Sequence, residues 1–104
     1  MARHDWLTHD DFSGRVGESF EVTVRDSAAL ALELAETRLG PDLGGRGPEG
    51  QERQQFSLIF TGPATPVLPQ ATYELDHAEL GRLLIFLVPL GPREGRMRYE
   101  AAFA

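Results

Sequence analysis

The sequence contains no cysteine, and this absence excludes disulfides, thiolate metal ligands and thiol nucleophiles. It also has no apolar run near the roughly 18 residues that a membrane-spanning helix needs, since the run over residues 83–90 is broken by Pro89. Residues 1–6 lack the apolar centre of a signal peptide. We therefore expect a cytoplasmic protein that does not contact a membrane and whose stability comes from packing.

Lysine is absent as well, because every basic residue is an arginine. These arginines are scattered along the chain, and the formal net charge is -6, so a phosphate backbone would repel the protein. Nucleic acid is therefore not expected as a partner. Together with plentiful alanine, glycine and proline, the missing lysine indicates a GC-rich bacterial genome more than a binding preference.

Alternating apolar and polar residues predict an all-β fold. The length of 104 residues suits a single β domain over residues 1–104. The clearest alternation lies in residues 18–25, and the densest β-forming run is 55–63, where Gly62 and Pro63 should end the strand. Further strands are predicted at residues 72–75, 83–88 and 96–103, the last two joined by a hairpin loop over 89–95.

Residues 7–12 suit one turn of helix, with Thr8 as its N-cap and Asp10 and Asp11 in its first turn. Phe12, with Trp6 or Leu7, should anchor this turn to the core.

Residues 28–38 are ambiguous between helix and strand. Their composition favours a helix. The spacing of Leu30, Leu32 and Leu34 favours a strand, because only a strand places all three on one face. We prefer a strand that forms a hairpin with the preceding one.

Residues 39–53 are rich in glycine and proline, and this composition predicts a flexible loop without a packed element. The glycines do not lie between a strand and a helix, as a phosphate-binding loop requires. The remaining connections are mostly short, which favours about six antiparallel strands in a small barrel or sandwich with a short N-terminal helical turn.

Candidate chemical groups are sparse. His4-Asp5 and His9-Asp10-Asp11 could bind a divalent metal, but a solvated helix start explains the second group more simply. Asp76, His77 and Glu79 could assist a nucleophile such as Ser57 or Thr61 only if the fold brought them together. The sequence has no Gly-x-Ser-x-Gly motif. We therefore predict no enzyme activity, no catalytic or metal site and no cofactor.

The strand over residues 83–88 is apolar on both faces. If one face lies in the core, Leu84, Phe86 and Val88 need cover on the other. The N-terminal helix or the proline-rich connection over residues 63–70 is the favoured cover, and a partner protein is the alternative. Because the terminal strand could also present an unpaired edge, Arg98 and Glu100 complete the candidate partner surface, and a homo-oligomer would be compatible with it.

Four blocks of the sequence occur in a recognisable order: FSLIFTGP, LPQATYEL, LGRLLIFLVPLGP and MRYEAAFA. With weaker matches at Gly17, Phe20 and residues 33–34, they resemble an uncharacterised bacterial domain-of-unknown-function family of about a hundred residues. The resemblance covers residues 12–104. It implies an association with phage-tail-collar-like fibre proteins, and it implies no catalytic residue.

The expected function is thus that of a non-enzymatic protein-interaction or structural accessory protein, in a phage-tail-like fibre assembly. The alternative is a small β-barrel that carries a small ligand in a pocket.

Overall fold

Six antiparallel strands close into a barrel in the computed structural model, which describes residues 7–24, 29–46 and 52–103. The strands are β1 (Ser19–Val22), β2 (Leu30–Arg46), β3 (Glu52–Pro63), β4 (Ala71–His77), β5 (Gly81–Arg93) and β6 (Arg96–Phe103), and a 3₁₀ turn, His9–Asp11, precedes them. Their order around the barrel is β1-β2-β3-β6-β5-β4, and β4 pairs with β1 to close it. The all-β prediction and its barrel form are confirmed.

The 3₁₀ turn closes one end of the barrel. The Asp11 carboxylate accepts a hydrogen bond of 2.8 Å from the Thr8 backbone N–H, as expected for a capped turn. Phe12 is fully buried, and its ring centroid lies about 6 Å from those of Phe20, Phe56 and Phe103. The predicted helical turn and its Phe12 anchor are confirmed, while Trp6 lies outside the described residues.

Residues 30–38 form part of strand β2, so the strand prediction is confirmed there. Leu32 and Leu34 are buried, Leu30 packs against the same core, and Phe20 of β1 lies directly opposite Leu32. Burying this face outweighs the helix propensity of the segment. Strand β1 is shorter than predicted, because it ends at Val22.

The loop predicted over residues 39–53 is wrong wherever the structure describes it, and residues 47–51 lie outside that part. Strand β2 continues to Arg46 and β3 begins at Glu52, so the two strands form a long hairpin. Register shifts after Leu39 and after Leu43 accommodate the glycines and proline. At Gly40 a Cβ atom would lie 3.1 Å from the Gln55 Cβ, so glycine suits the close approach of the two strands there.

Two predicted strand ends also differ from the structure. Gly62 and Pro63 stay in the ladder, paired with Met97 and Arg96 of β6. Gly62 points inwards, where a Cβ would lie 2.5 Å from the Leu32 Cδ2, so this glycine permits packing rather than a break. The hairpin loop predicted over residues 89–95 is shorter, since β5 continues to Arg93 and β6 begins at Arg96.

Candidate partner surface

The two faces of β5 have opposite environments. Leu83, Ile85 and Leu87 are buried in the barrel, whereas Leu84 and Phe86 are 67% and 48% exposed. Val88, next on the outer face, is half-buried. We call Leu84, Phe86 and Val88 the β5 strip. Large apolar side chains that line one strand in this way are typical of a contact surface.

The favoured intramolecular cover for this strip is wrong for the described residues. The N-terminal turn packs on the barrel end through Phe12 instead. The proline-rich connection is held elsewhere by Leu68, which is buried and whose backbone N–H donates to the Tyr99 hydroxyl at 2.9 Å. Both segments therefore pack against the core rather than over the β5 strip, which faces outwards.

Polar residues border the β5 strip on both neighbouring strands. On β4, Glu74 lies opposite Leu84 and Thr72 lies opposite Phe86. On β6, Glu100 lies opposite Val88. An apolar centre with a charged rim is the usual anatomy of a protein interface.

The five residues of the predicted surface share the outer face of β5 and β6. Glu100 adjoins the β5 strip, and Arg98 lies two residues before it on the same face of β6. The unpaired edge expected for the terminal strand is covered over most of its length. Strand β6 pairs with β3 along residues 96–103 and with β5 over residues 96–100.

The outer face of the barrel also carries a groove that the sequence did not predict. It has a volume of about 270 Å³, and four arginines line it around Ile59 and Thr61: Arg38, Arg93, Arg96 and Arg98. We call it the arginine groove. These arginines are separate in the sequence, but the β5–β6 hairpin brings three of them together and β2 adds the fourth. The spacing of Arg96 and Arg98, two residues apart in a strand, was the available signal.

His77 is buried and uses both ring nitrogens. Its Nε2 lies 2.6 Å from the Glu18 Oε1, and its Nδ1 accepts the backbone N–H groups of Glu79 and Leu80 at 3.0 and 3.1 Å. Because Nδ1 is an acceptor, the proton of the neutral ring is on Nε2 and is donated to Glu18. The Phe20 ring lies 4.6 Å away, centroid to centroid. These contacts describe a ring that fastens the β4–β5 turn to the start of β1.

Arg15 extends this network at the surface. Its Nη1 lies 3.4 Å from Glu18 and 3.1 Å from Glu79. The hydrogen bond from His77, opposed by desolvation and assisted by Arg15, lowers the pKa of the Glu18 carboxyl. Glu18 is thus held in its charged form by two donors.

The fold does not bring Asp76, His77 and Glu79 together with Ser57 or Thr61. Asp76 accepts a hydrogen bond from Arg82 at 3.0 Å rather than from His77. Ser57 and Thr61 lie on β3, whose neighbours in the barrel are β2 and β6, so they are not beside β4.

The candidate metal ligands are also dispersed. His9 Nε2 lies 3.1 Å from the Thr37 hydroxyl, and Asp11 caps the 3₁₀ turn. Across residues 7–24, 29–46 and 52–103, no three His, Asp or Glu side chains gather in a way that could hold a metal ion. His4 and Asp5 lie outside the described residues. None of the helical segments described has the length and apolar character to cross a membrane.

Comparison with known proteins places the chain in a family without supplying an activity. Neither the curated proteins nor the solved structures contain a significant match. A family model described as a domain of unknown function (DUF6916) matches residues 7–103, which include most of the four sequence blocks. The chain therefore belongs to the DUF6916 family of domains of unknown function.

Proposed function

We propose that this protein is a non-enzymatic interaction or accessory protein that binds another protein through the β5 strip. The observation that supports it most strongly is the exposure of Leu84 and Phe86 on a strand that buries Leu83, Ile85 and Leu87 on its opposite face. Fully burying a leucine or phenylalanine side chain is worth about 1.5–3 kcal/mol, so a partner covering both would gain a substantial part of its affinity there.

The charged rim suits a specific partner. Glu74 and Glu100 flank the strip on opposite sides, and Arg82 lies at one end, 3.0 Å from Asp76 and 3.6 Å from Glu74. Rim charges of this kind contribute more to partner choice and association rate than to affinity.

The class of partner that we propose is a component of a phage-tail-like fibre assembly, such as a tail-collar-like fibre protein. The proposal relies on the resemblance of the four sequence blocks, which also implies a bacterial source. Cytoplasmic location belongs to the same proposal.

A small-ligand carrier has less support. Aromatic and aliphatic side chains fill the barrel interior, among them the buried Phe20, Phe60 and Tyr99. The rings of Phe20 and Phe60 form a T-shaped contact at a centroid distance of 5.3 Å. Side chains packed this closely occupy the space where a carrier would hold its ligand.

The proposal can be tested by co-purification from the native host with three tagged forms: the wild type, Phe86→Ser and Val67→Ser. Val67 is a matched control, because it is also 48% exposed but lies outside the β5 strip. We expect the same fibre-like protein with the wild type and with Val67→Ser, and its loss with Phe86→Ser. Equal recovery with all three forms would contradict the proposal. Sedimentation of the purified proteins shows whether a second copy of this chain covers the strip instead.

A further inference from the structure

The β5–β6 turn places two arginines directly opposite each other. Its two central residues, Glu94 and Gly95, have φ values of 52° and 80°, the left-handed backbone of a tight two-residue hairpin turn. Arg93 and Arg96 flank the turn and are cross-strand partners. Like charges in this position repel each other, so the hairpin has an unfavourable pair unless something compensates it.

Arg98 adds a third positive charge on the same face. It follows Arg96 by two residues on β6 and lies opposite Thr61 of β3. Its Nε atom is buried and has no hydrogen-bond partner among the described residues. A desolvated guanidinium N–H without an acceptor is costly, so the positive charge of Arg98 is incompletely compensated within the described part of the chain.

The nearby carboxylates do not neutralise these arginines. Glu36 is engaged by Arg38, which donates to both of its oxygens. The hydrogen bonds from Arg38, with a smaller contribution from the charge of Arg93, lower the pKa of the Glu36 carboxyl.

No ion pair joins Arg93, Arg96 or Arg98 to a carboxylate in the described part of the chain. Arg96 Nη2 donates instead to the backbone oxygen of Thr61, at 3.4 Å.

The floor of the arginine groove is apolar. Ile59 is buried although it lies on the outer face of the sheet, apart from the core cluster inside the barrel. Ala35 is a second apolar residue of the lining, and Thr61 supplies a hydroxyl. The groove therefore combines cationic walls with a floor that fits the methylene groups of a side chain.

We propose that the arginine groove binds a carboxylate from an acidic segment of the partner protein, with the guanidinium groups of Arg93, Arg96 and Arg98 as the donors. Guanidinium and carboxylate groups match each other in planar, paired hydrogen bonds. Glu36 and Glu94 also line the groove, and their negative charges favour a monoanionic carboxylate over a phosphate dianion.

This inference rests on the proposed function, since it states which chemical group of the bound protein the groove would contact. On an otherwise acidic chain with a net charge of -6, this groove is a place where an acidic segment would be attracted. It lies on the outer face that also carries the β5 strip, because Arg98 and Glu100 are neighbours on β6. One partner could therefore reach both sites.

The test is an NMR titration that follows the arginine Nε–Hε signals and the Ile59 methyl signals of the full chain. The probes are a hexaglutamate peptide, a hexaglutamine peptide and inorganic phosphate, all at equal ionic strength. We expect saturable shifts of Arg98 and Ile59 with hexaglutamate alone. Arg98→Gln should weaken hexaglutamate binding about tenfold, the size of one lost charge-assisted hydrogen bond. Arg82→Gln, which removes a paired arginine at the other end of β5, should leave it unchanged.

Absent shifts with hexaglutamate, equal shifts with phosphate, or equal weakening by Arg82→Gln would each overturn the carboxylate site. If Arg98→Gln does not fold, Arg96→Gln serves in its place, with a severalfold weakening expected and unchanged affinity counting against the site. Phe86→Ser separates the two proposals, because it should leave hexaglutamate binding intact. If the wild-type chain captures its partner through Phe86 but does not bind hexaglutamate, the groove alone is refuted. If it binds hexaglutamate but Phe86→Ser captures the partner as well as the wild type does, the β5 strip alone is refuted.

Discussion

The Nε2 atom of His77 lies 2.6 Å from the Oε1 atom of Glu18, and this contact joins the end of β4 to the residue that precedes β1. Glu18 is also fixed by its backbone, since its carbonyl accepts the Leu34 N–H at 3.0 Å. The contact therefore ties the barrel closure between β1 and β4 to strand β2. The histidine that looked most like a catalytic candidate in the sequence is used to hold the barrel together.

Acid should weaken the protein through Glu18. A carboxylate whose pKa is lower in the folded than in the unfolded chain stabilises the fold above its unfolded pKa, and this stabilisation is lost as the pH falls through the folded pKa. Because His77 and Arg15 lower the pKa of Glu18 below its ordinary 4.5, the loss should occur below about pH 4.5. Thermal unfolding across pH 3–7 should show a smaller acid decline for Glu18→Gln than for the wild type. Identical pH profiles would refute this role, and Glu21→Gln in the adjoining strand β1 is the control.

Replacing His77 should destabilise the barrel. His77→Leu keeps an apolar group against Phe20 but removes the acceptor for the backbone N–H groups of Glu79 and Leu80. We expect a loss of about 2–4 kcal/mol in the free energy of unfolding, because two partly or fully buried donors lose their partner. Urea denaturation measures it, and a change below about 0.5 kcal/mol would show that the ring is dispensable.

Gly62 should tolerate no side chain. A Cβ there would approach the Leu32 Cδ2 to 2.5 Å, so Gly62→Ala should reduce the free energy of unfolding by about 1–3 kcal/mol through overpacking. Gly14→Ala is the matched control, since a Cβ at Gly14 meets nothing within 4 Å, and its effect should be near zero or slightly stabilising. Equal effects of the two substitutions in urea denaturation would show that the close approach at Gly62 is not important.

The Tyr99 hydroxyl should fasten the proline-rich connection. Tyr99→Phe keeps the ring but leaves the buried Leu68 N–H without its acceptor, at a cost of about 1–3 kcal/mol. Hydrogen exchange of the Leu68 amide should accelerate more than that of amides in β1, while the barrel fold is retained. Unchanged exchange at Leu68 would contradict this role.

The sequence predicted the strands best where one face is buried. Leu30, Leu32 and Leu34 have the period of a strand, and that period was correct despite the helical composition around them. Residues 39–46 have no such period. They belong to a two-stranded hairpin held by backbone hydrogen bonds, and the pattern of side chains does not indicate such bonds. The end of β3 was misjudged for a related reason: Gly62 is required by a contact with Leu32, a residue distant in the sequence.

The candidate surface was only partly predictable. The apolar strip of β5 follows from its composition, but what covers it depends on where Phe12 and Leu68 pack, and this is a tertiary property. The arginine groove depends on the pairing of Arg93 with Arg96 across a two-residue turn. The sequence suggested a longer loop there, in which the two side chains would not have been opposed.

Binding of a partner protein through the β5 strip is tested most directly by site-specific photo-crosslinking in the native host. A benzophenone side chain is placed at Phe86 in one form and at Val67 in the other, two positions with equal exposure. We predict a crosslink to one partner protein from position 86 and none to that protein from position 67. Absence of a crosslink at position 86, or the same product from both positions, would contradict the claim.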